Sequence, residues 1–163
     1  MDTKGNRSEQ SDIQVTVMVP VVDKQTSTFT SMGSELPADV KSTQVLTLTL
    51  QDESHQAADV DVNEIGLKVS EMKSATVSAL TRESAGVYTL TVTAGTNNET
   101  VTLKPSVRGV KISPASLVIT SIIPEAGQSL FTASPETILA DGVASSTLTL
   151  IAKNSRGKPL TGL

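Results

Sequence analysis

The chain repeats itself once, without a gap, at a constant spacing of 102 residues. Phe29 aligns in this way with Phe131, and Leu46-Thr47-Leu48 aligns with Leu148-Thr149-Leu150. The match begins at about residue 15 and continues to the end of the sequence. A period of about 100 residues is too long for a solenoid, whose repeats take roughly 20 to 50 residues. Each unit is therefore expected to be a domain, and the chain to belong to a tandem array.

Four segments of the first unit alternate apolar residues with threonine, glycine or lysine at every second position. Such alternation indicates strands with one buried face and one wet face. The 18 valines and the 42 serines and threonines also favour pleated surface over helix. We therefore predict an all-β fold, an immunoglobulin-like antiparallel β-sandwich, which takes about 100 residues. The apolar faces are Leu46, Leu48 and Leu50; Ile65, Leu67 and Val69; Tyr88, Leu90 and Val92; and Val101 and Leu103.

The repeat register predicts how the chain is divided. Residues 1–23 are expected to be a lead segment that matches the last strand of a preceding repeat, and residues 24–123 a complete domain. Residues 124–163 are expected to be a linker and the first two strands of a following repeat. Two strands alone are marginally stable in water at best. Turn-forming residues predict connections within the complete domain, the last of them at residues 105–109.

Composition argues against several functional classes. The net charge is -4, no basic stripe is visible, and only two Phe and one Tyr could stack on bases, so nucleic-acid binding is not expected. No apolar run approaches the roughly 20 residues that span a bilayer. The chain has no Cys, and its one His, His55, lies in a predicted loop. We predict that the protein is not an enzyme, and we assign no catalytic, cofactor-binding or metal-binding residue.

Two local patterns contain residue types that occur in binding sites or conserved corners. Asp59-Val60-Asp61-Val62-Asn63 has the alternating oxygen ligands of a calcium loop, but Glu64 stands where the loop needs Gly and Ser70 where it needs Glu. No calcium site is therefore predicted. Tyr88 follows a sequence similar to the tyrosine corner of immunoglobulin domains. We expect Tyr88 to be a core residue whose hydroxyl reaches the surface.

The second unit carries the most specific residues. Phe131–Gly142, Ser146–Leu150 and Asn154–Gly162 closely resemble the opening of the group 1 bacterial Ig-like domains, which form the stalks of invasin and intimin-type adhesins. The shared features are an Ala-Asp-Gly turn, a Thr-Leu-Thr strand and a Gly-x-Pro-x-x-Gly loop. The first unit matches this family more loosely, since Val40 replaces the glycine of the turn.

The resemblance implies a non-catalytic stalk module that acts as a spacer and in cell adhesion, and so in virulence. It implies a cell-surface location, attached to the bacterial outer membrane through parts outside this chain. The implied partners are neighbouring repeats and a host-cell or bacterial surface receptor, for which no binding residue is assigned. The alternative is a carbohydrate-binding β-sandwich module, which would stack sugars on exposed aromatic rings. Phe29 and Phe131 are expected instead to pack at domain joints.

Overall fold

The computed structural model describes residues 18–161 and contains twelve strands and one turn of 3-10 helix in that range. Most of the lead segment and the last glycine of the Gly-x-Pro-x-x-Gly loop lie outside the described residues. The helical turn covers Val62–Glu64. The strands are β1 (Thr28–Ser31), β2 (Glu35–Pro37), β3 (Thr43–Thr49), β4 (Ile65–Val69), β5 (Thr76–Val77), β6 (Thr81–Ser84), β7 (Val87–Thr93), β8 (Glu99–Val107), β9 (Val110–Lys111), β10 (Ala115–Thr120), β11 (Leu130–Ser134) and β12 (Thr147–Ile151).

The first ten strands form two packed sheets. One has the order β1-β3-β7-β5, with β6 also paired to β7, and the other has the order β2-β10-β8-β4, with β9 also paired to β8. The apolar faces predicted from the alternation point between the sheets. Leu46, Leu48 and Leu50 are each at most 1% exposed. The predicted immunoglobulin-like β-sandwich is confirmed.

One strand pair departs from the predicted antiparallel sheets. β1 pairs antiparallel with β3, whereas β2 pairs parallel with β10 in the other sheet. The chain crosses between the sheets at residues 32–34, where the Val118 N–H donates to the Ser34 carbonyl at 2.8 Å. This crossing brings Glu35 next to the end of β10, where the chain leaves the sandwich.

The turn predicted for residues 105–109 begins only after Val107, because β8 continues through Pro105. Pro105 has no N–H to donate, and its carbonyl accepts the Ile112 N–H at 3.1 Å. The N–H and C=O of one strand residue point to the same side, so the missing N–H also faces that side. On that side β10 pairs with β8 only as far as Leu103 and β9 pairs only from Ser106 onward, so Pro105 lies in the gap between the two ladders.

The prediction that Phe29 packs at a domain joint is wrong. Phe29 is 6% exposed and lies in the core, opposite Leu48 on the neighbouring strand. It occupies an inward position in the alternation of β1, between two exposed threonines. Its burial inside the first unit leaves no large aromatic ring exposed on the described sandwich.

The second unit forms a two-stranded hairpin, β11 with β12, in the register of the first unit. Phe131 lies opposite Leu150 as Phe29 lies opposite Leu48. The apolar face of the hairpin is uncovered in the described part of the chain: Phe131, Leu148 and Leu150 are 64 to 67% exposed. The hairpin therefore has the local structure of the first unit without the second sheet that buries it there.

We expect the hairpin to open far more readily than the sandwich. Peptide groups of β12 should exchange with solvent on the order of 100-fold faster than those of β3, because an isolated strand pair lacks core packing. Hydrogen exchange followed by NMR measures both rates in one sample. Equal protection of the two strands would show that the apolar face of the hairpin is covered in solution.

The same turn precedes β3 and β12. The Asp39 Oδ1 accepts the backbone N–H groups of the second and third residues after it, at 2.9 and 2.7 Å. The Asp141 Oδ1 does so at the same two distances. The residue after each aspartate is left-handed, with φ of 65° for Val40 and 78° for Gly142. A β-branched residue is strained in this conformation, whereas glycine is not.

Val40→Gly is expected to stabilise the sandwich by about 1 kcal/mol, since the left-handed conformation costs an L residue about 1 to 2 kcal/mol and glycine entropy offsets part of the gain. Urea unfolding at pH 7 measures the change. Val40→Ala is the control, because alanine keeps most of the strain while it removes the branched side chain. A loss of stability in the glycine variant would contradict the strain that we assign to this turn.

Candidate functional site

The carboxylates with calcium-loop spacing are held by protein groups. Asp59 accepts Arg82 Nε at 2.8 Å and Arg82 Nη2 at 2.6 Å. This guanidinium lowers the pKa of Asp59 to about 2. The Asp61 Oδ1 accepts the Asn63 N–H at 2.8 Å and starts the 3-10 turn. The two carboxylates therefore do not converge on a common point.

Tyr88 lies on β7, opposite Leu48 of β3. The prediction that its hydroxyl reaches the surface is wrong. Tyr88 is fully buried, and its hydroxyl donates to the Val60 carbonyl at 2.6 Å and accepts the Val60 N–H at 2.8 Å. Burial raises the pKa of Tyr88. The residue fixes the loop before β4 and is not available to a ligand.

Within residues 18–161, no three His, Asp or Glu side chains lie close enough together to hold a metal ion. None of the helical structure in this range is long and apolar enough to cross a bilayer. His55 is exposed in the turn after β3, with a φ of 61°.

The turn after β12 is the point where the second unit meets the sandwich. It is organised around Asn154, which is fully buried. The Asn154 Oδ1 accepts the N–H groups of Arg156 and Lys158, both at 3.0 Å. The Asn154 Nδ2 donates to the carbonyl of Ser121, just beyond β10, at 2.9 Å. One amide thus closes the turn of the second unit and binds it to the first.

Asn98 crosses the same joint from the loop between β7 and β8. Its Nδ2 donates to the Ser155 Oγ at 2.6 Å. Its Oδ1 accepts the N–H of Ser121. Asn98 and Asn154 therefore bind the N–H and the C=O of the same residue, Ser121, and hold the chain where it leaves the sandwich.

An ion pair closes one side of the joint. The Lys158 Nζ lies 2.6 Å from the Glu35 Oε2. The Thr120 hydroxyl donates to the other oxygen of Glu35 at 2.5 Å. The Lys158 ammonium and the Thr120 hydroxyl lower the pKa of Glu35. A shallow groove of about 290 Å³ lies between these residues and the turn. We call Glu35, Asn98, Ser121, Asn154, Ser155 and Lys158 the joint cluster.

The first unit has an aspartate at the position of Asn154. The Asp52 Oδ1 accepts two N–H groups of its own turn, at 2.8 and 2.9 Å. A carboxylate cannot donate, so Asp52 lacks the donor with which Asn154 reaches Ser121. At the entry to the first unit a different side chain binds the incoming segment, since Arg108 donates to the Pro20 carbonyl at 2.9 Å.

The sequence assigned no binding residue, and it missed the joint cluster. Asn98 and Asn154 are separated by more than fifty residues, and each is polar in a predicted turn, as most turn residues are. The one available signal was the position of Asn154 at the start of the segment that resembles the bacterial Ig-like domains. That resemblance indicated the turn but not its contact with Ser121.

Comparison with known proteins identifies the family. The model of invasin domain 3 matches residues 23–121. The chain belongs to the invasin domain 3 family. The inverse autotransporter adhesin YeeJ of Escherichia coli K12 is 31% identical over 125 residues, which are 74% of this chain and 5% of that protein. The resemblance to invasin-type adhesins is thus confirmed, and the chain spans a small part of this relative's length.

Solved structures of adhesins share the fold of this invasin domain. InvD of Yersinia pseudotuberculosis is 26% identical with a TM-score of 0.55, over 87% of this chain and 41% of that one. Invasin, described as a bacterial integrin-binding protein, is 24% identical with a TM-score of 0.52, over 88% of this chain and 29% of its own. The chain therefore corresponds to a segment of each of these proteins.

Proposed function

We propose that this chain is a non-catalytic stalk module of an invasin-like surface adhesin, and that it acts as a spacer in cell adhesion. Membership of the invasin domain 3 family and the similarity to YeeJ support this proposal. The name of that relative, an inverse autotransporter adhesin, also supports a location at the cell surface, attached to the outer membrane through other parts of the protein. The proposed partners are neighbouring repeats and a surface receptor on a host or bacterial cell.

The observation that carries the spacer role is the joint cluster. A spacer must transmit direction from one domain to the next, so its joints need contacts that fix rotation and bending. Asn154 is fully buried and hydrogen-bonded through both ends of its amide, across the joint and within its own turn. Leaving such a buried group without its partner costs about 1 to 3 kcal/mol, which opposes reorientation.

The proposed division of the chain follows the repeat. Residues 24–123 are the complete stalk domain, residues 1–23 the end of a preceding repeat, and residues 124–163 the linker and start of a following one. The invasin domain 3 match over residues 23–121 is consistent with this division.

The non-catalytic part of the proposal rests on the chemistry of the polar groups. Asp59 is neutralised by Arg82, and His55 is exposed in a turn. The alternative of a module that stacks sugars on aromatic rings has little support. Phe29 and Tyr88 are buried in the core, and the exposed Phe131 lies on the hairpin face that corresponds to the buried face of the first unit.

Distance measurements between the two units test the spacer role. The chain has no cysteine, so Thr81→Cys and Thr149→Cys together place two spin labels, one on an exposed residue of each unit. Pulsed electron resonance of the full chain should give one narrow distance distribution. Asn154→Asp should broaden it severalfold, because a carboxylate in place of the amide faces the Ser121 carbonyl without a proton to donate.

Asp52→Asn is the matched control. It makes the reverse substitution at the equivalent position of the first unit, where the side chain only accepts hydrogen bonds within its own turn. We expect it to leave the distance distribution unchanged. A broad distribution in the parent double-cysteine protein would overturn the spacer proposal.

A further inference from the structure

Three lysines lie together on the outer face of the second sheet. Lys68 on β4 is directly opposite Lys104 on β8 in the strand register. Lys111 on β9 is opposite Ser106, which is two residues beyond Lys104 and on the same face. All three lysine side chains are exposed. They line one groove of about 480 Å³.

Among residues 18–161, no acidic side chain forms an ion pair with the three lysines of this groove. Glu64 is the acidic residue immediately before β4, and its carboxylate is occupied by Arg108 at 2.5 Å. The ion pairs among residues 18–161 join Arg82 to Asp59, Arg108 to Glu64, and Lys158 to Glu35, and none of them includes a lysine of the groove.

This arrangement opposes folding. Like charges directly opposite each other on paired strands destabilise a sheet, and Lys68 and Lys104 form such a pair. The chain as a whole is acidic, with a net charge of -4, so the cluster is not a consequence of a basic composition. A bound polyanion would convert the repulsion among the three ammonium groups into attraction.

The rest of the groove selects the kind of polyanion. Its lining includes the exposed ring of Pro114 and the half-buried Ser106, whereas Pro105 and Ile112 are buried beneath it. Apolar patches beside hydroxyl groups suit the C–H faces and hydroxyl edges of sugars. The groove has no aromatic ring on which a base could stack, and single-stranded nucleic acids are bound largely through such stacking.

We propose that this groove binds a sulfated polysaccharide, with Lys68, Lys104 and Lys111 each donating to anionic groups spaced along the chain. Opposed residues of a strand pair have Cβ atoms about 5 Å apart, and the ammonium groups on flexible stems can spread from there. Such spacing fits successive charges of a linear polymer better than one small anion. This site is independent of the spacer role.

Titration of the full chain with a heparin-derived oligosaccharide, followed by calorimetry, tests the proposal. The triple variant Lys68→Gln, Lys104→Gln and Lys111→Gln should lose about tenfold or more in affinity, as three exposed ion pairs allow. The matched control is Lys24→Gln, Lys41→Gln and Lys73→Gln, which removes the same charge from exposed lysines elsewhere. The control should lose less than about threefold, and both variants should keep the melting behaviour of a folded sandwich.

Other negatively charged polymers test whether binding requires a sulfated sugar. Unsulfated hyaluronan, inorganic polyphosphate and single-stranded DNA should each bind at least about tenfold more weakly than the sulfated oligosaccharide at equal ionic strength. Equal losses in the two triple variants would show a nonspecific effect of net charge and overturn the proposal. Equal binding of hyaluronan, polyphosphate or DNA would overturn the assignment to a sulfated polysaccharide, and absence of any binding would overturn the site.

Discussion

Replacing Leu48 with alanine is expected to destabilise the sandwich by about 2 to 5 kcal/mol, the range observed when a buried leucine is truncated. Leu48 is 1% exposed and is the penultimate residue of β3. It lies between Phe29 on one neighbouring strand and Tyr88 on the other, so three large side chains share this part of the core. Urea unfolding followed by circular dichroism measures the loss.

The repeat supplies a matched control for this substitution. Leu150 is the equivalent of Leu48 in the second unit, and it lies opposite Phe131 as Leu48 lies opposite Phe29. Leu150 is nevertheless 65% exposed. Leu150→Ala should change the stability of the sandwich by less than about 0.5 kcal/mol. Thr49→Ala, one residue along on the opposite face of β3, should cost far less than Leu48→Ala. Similar losses for Leu48 and Leu150 would mean that the hairpin is buried in solution.

The alternation of apolar residues was sufficient to predict which side of each strand is buried. Leu46, Leu48 and Leu50 all face the core, because a period of two leaves no other register with a continuous apolar face. The same local rule could not predict that β2 pairs with β10, since the crossing between sheets depends on which edge is open. The sequence also predicts a turn at Pro105, where β8 in fact continues. Whether a proline fits within a strand depends on whether a neighbouring strand needs its N–H.

The polar sites were less predictable than the core. The groove lysines come from three strands, and only the pairing of β4 with β8 and of β8 with β9 brings them together. The sequence alone shows no basic stripe for this reason. The joint cluster likewise combines loops from two units. The calcium-like spacing at Asp59 does not include the Arg82 guanidinium, which comes from a distant strand and pairs with this carboxylate in the structure.

Glu99 is a buried carboxylate at the end of the sandwich nearest the joint, and it binds the loop before β5. It is 6% exposed, and its carboxylate accepts the backbone N–H groups of Lys73, Ser74 and Ala75 at 2.6, 3.0 and 2.8 Å. Burial raises the pKa of Glu99, but the three backbone hydrogen bonds outweigh it and hold the pKa below the ordinary value. The carboxylate therefore organises the loop before β5 in its charged form.

Glu99→Ala is expected to cost about 3 kcal/mol or more at pH 7, because hydrogen bonds to a charged acceptor contribute about 1.5 to 3 kcal/mol each and three donors lose theirs. Since the folded pKa is lowered, the contribution of Glu99 is complete above the unfolded pKa of about 4.3 and is lost as the pH falls through the folded value. The difference in unfolding free energy between the wild type and Glu99→Ala should thus shrink below about pH 4. Glu53→Ala, at an exposed turn position, should stay within about 0.5 kcal/mol of the wild type. A Glu99→Ala penalty that is the same at pH 7 and pH 3 would show that the side chain acts through packing and not through its charge.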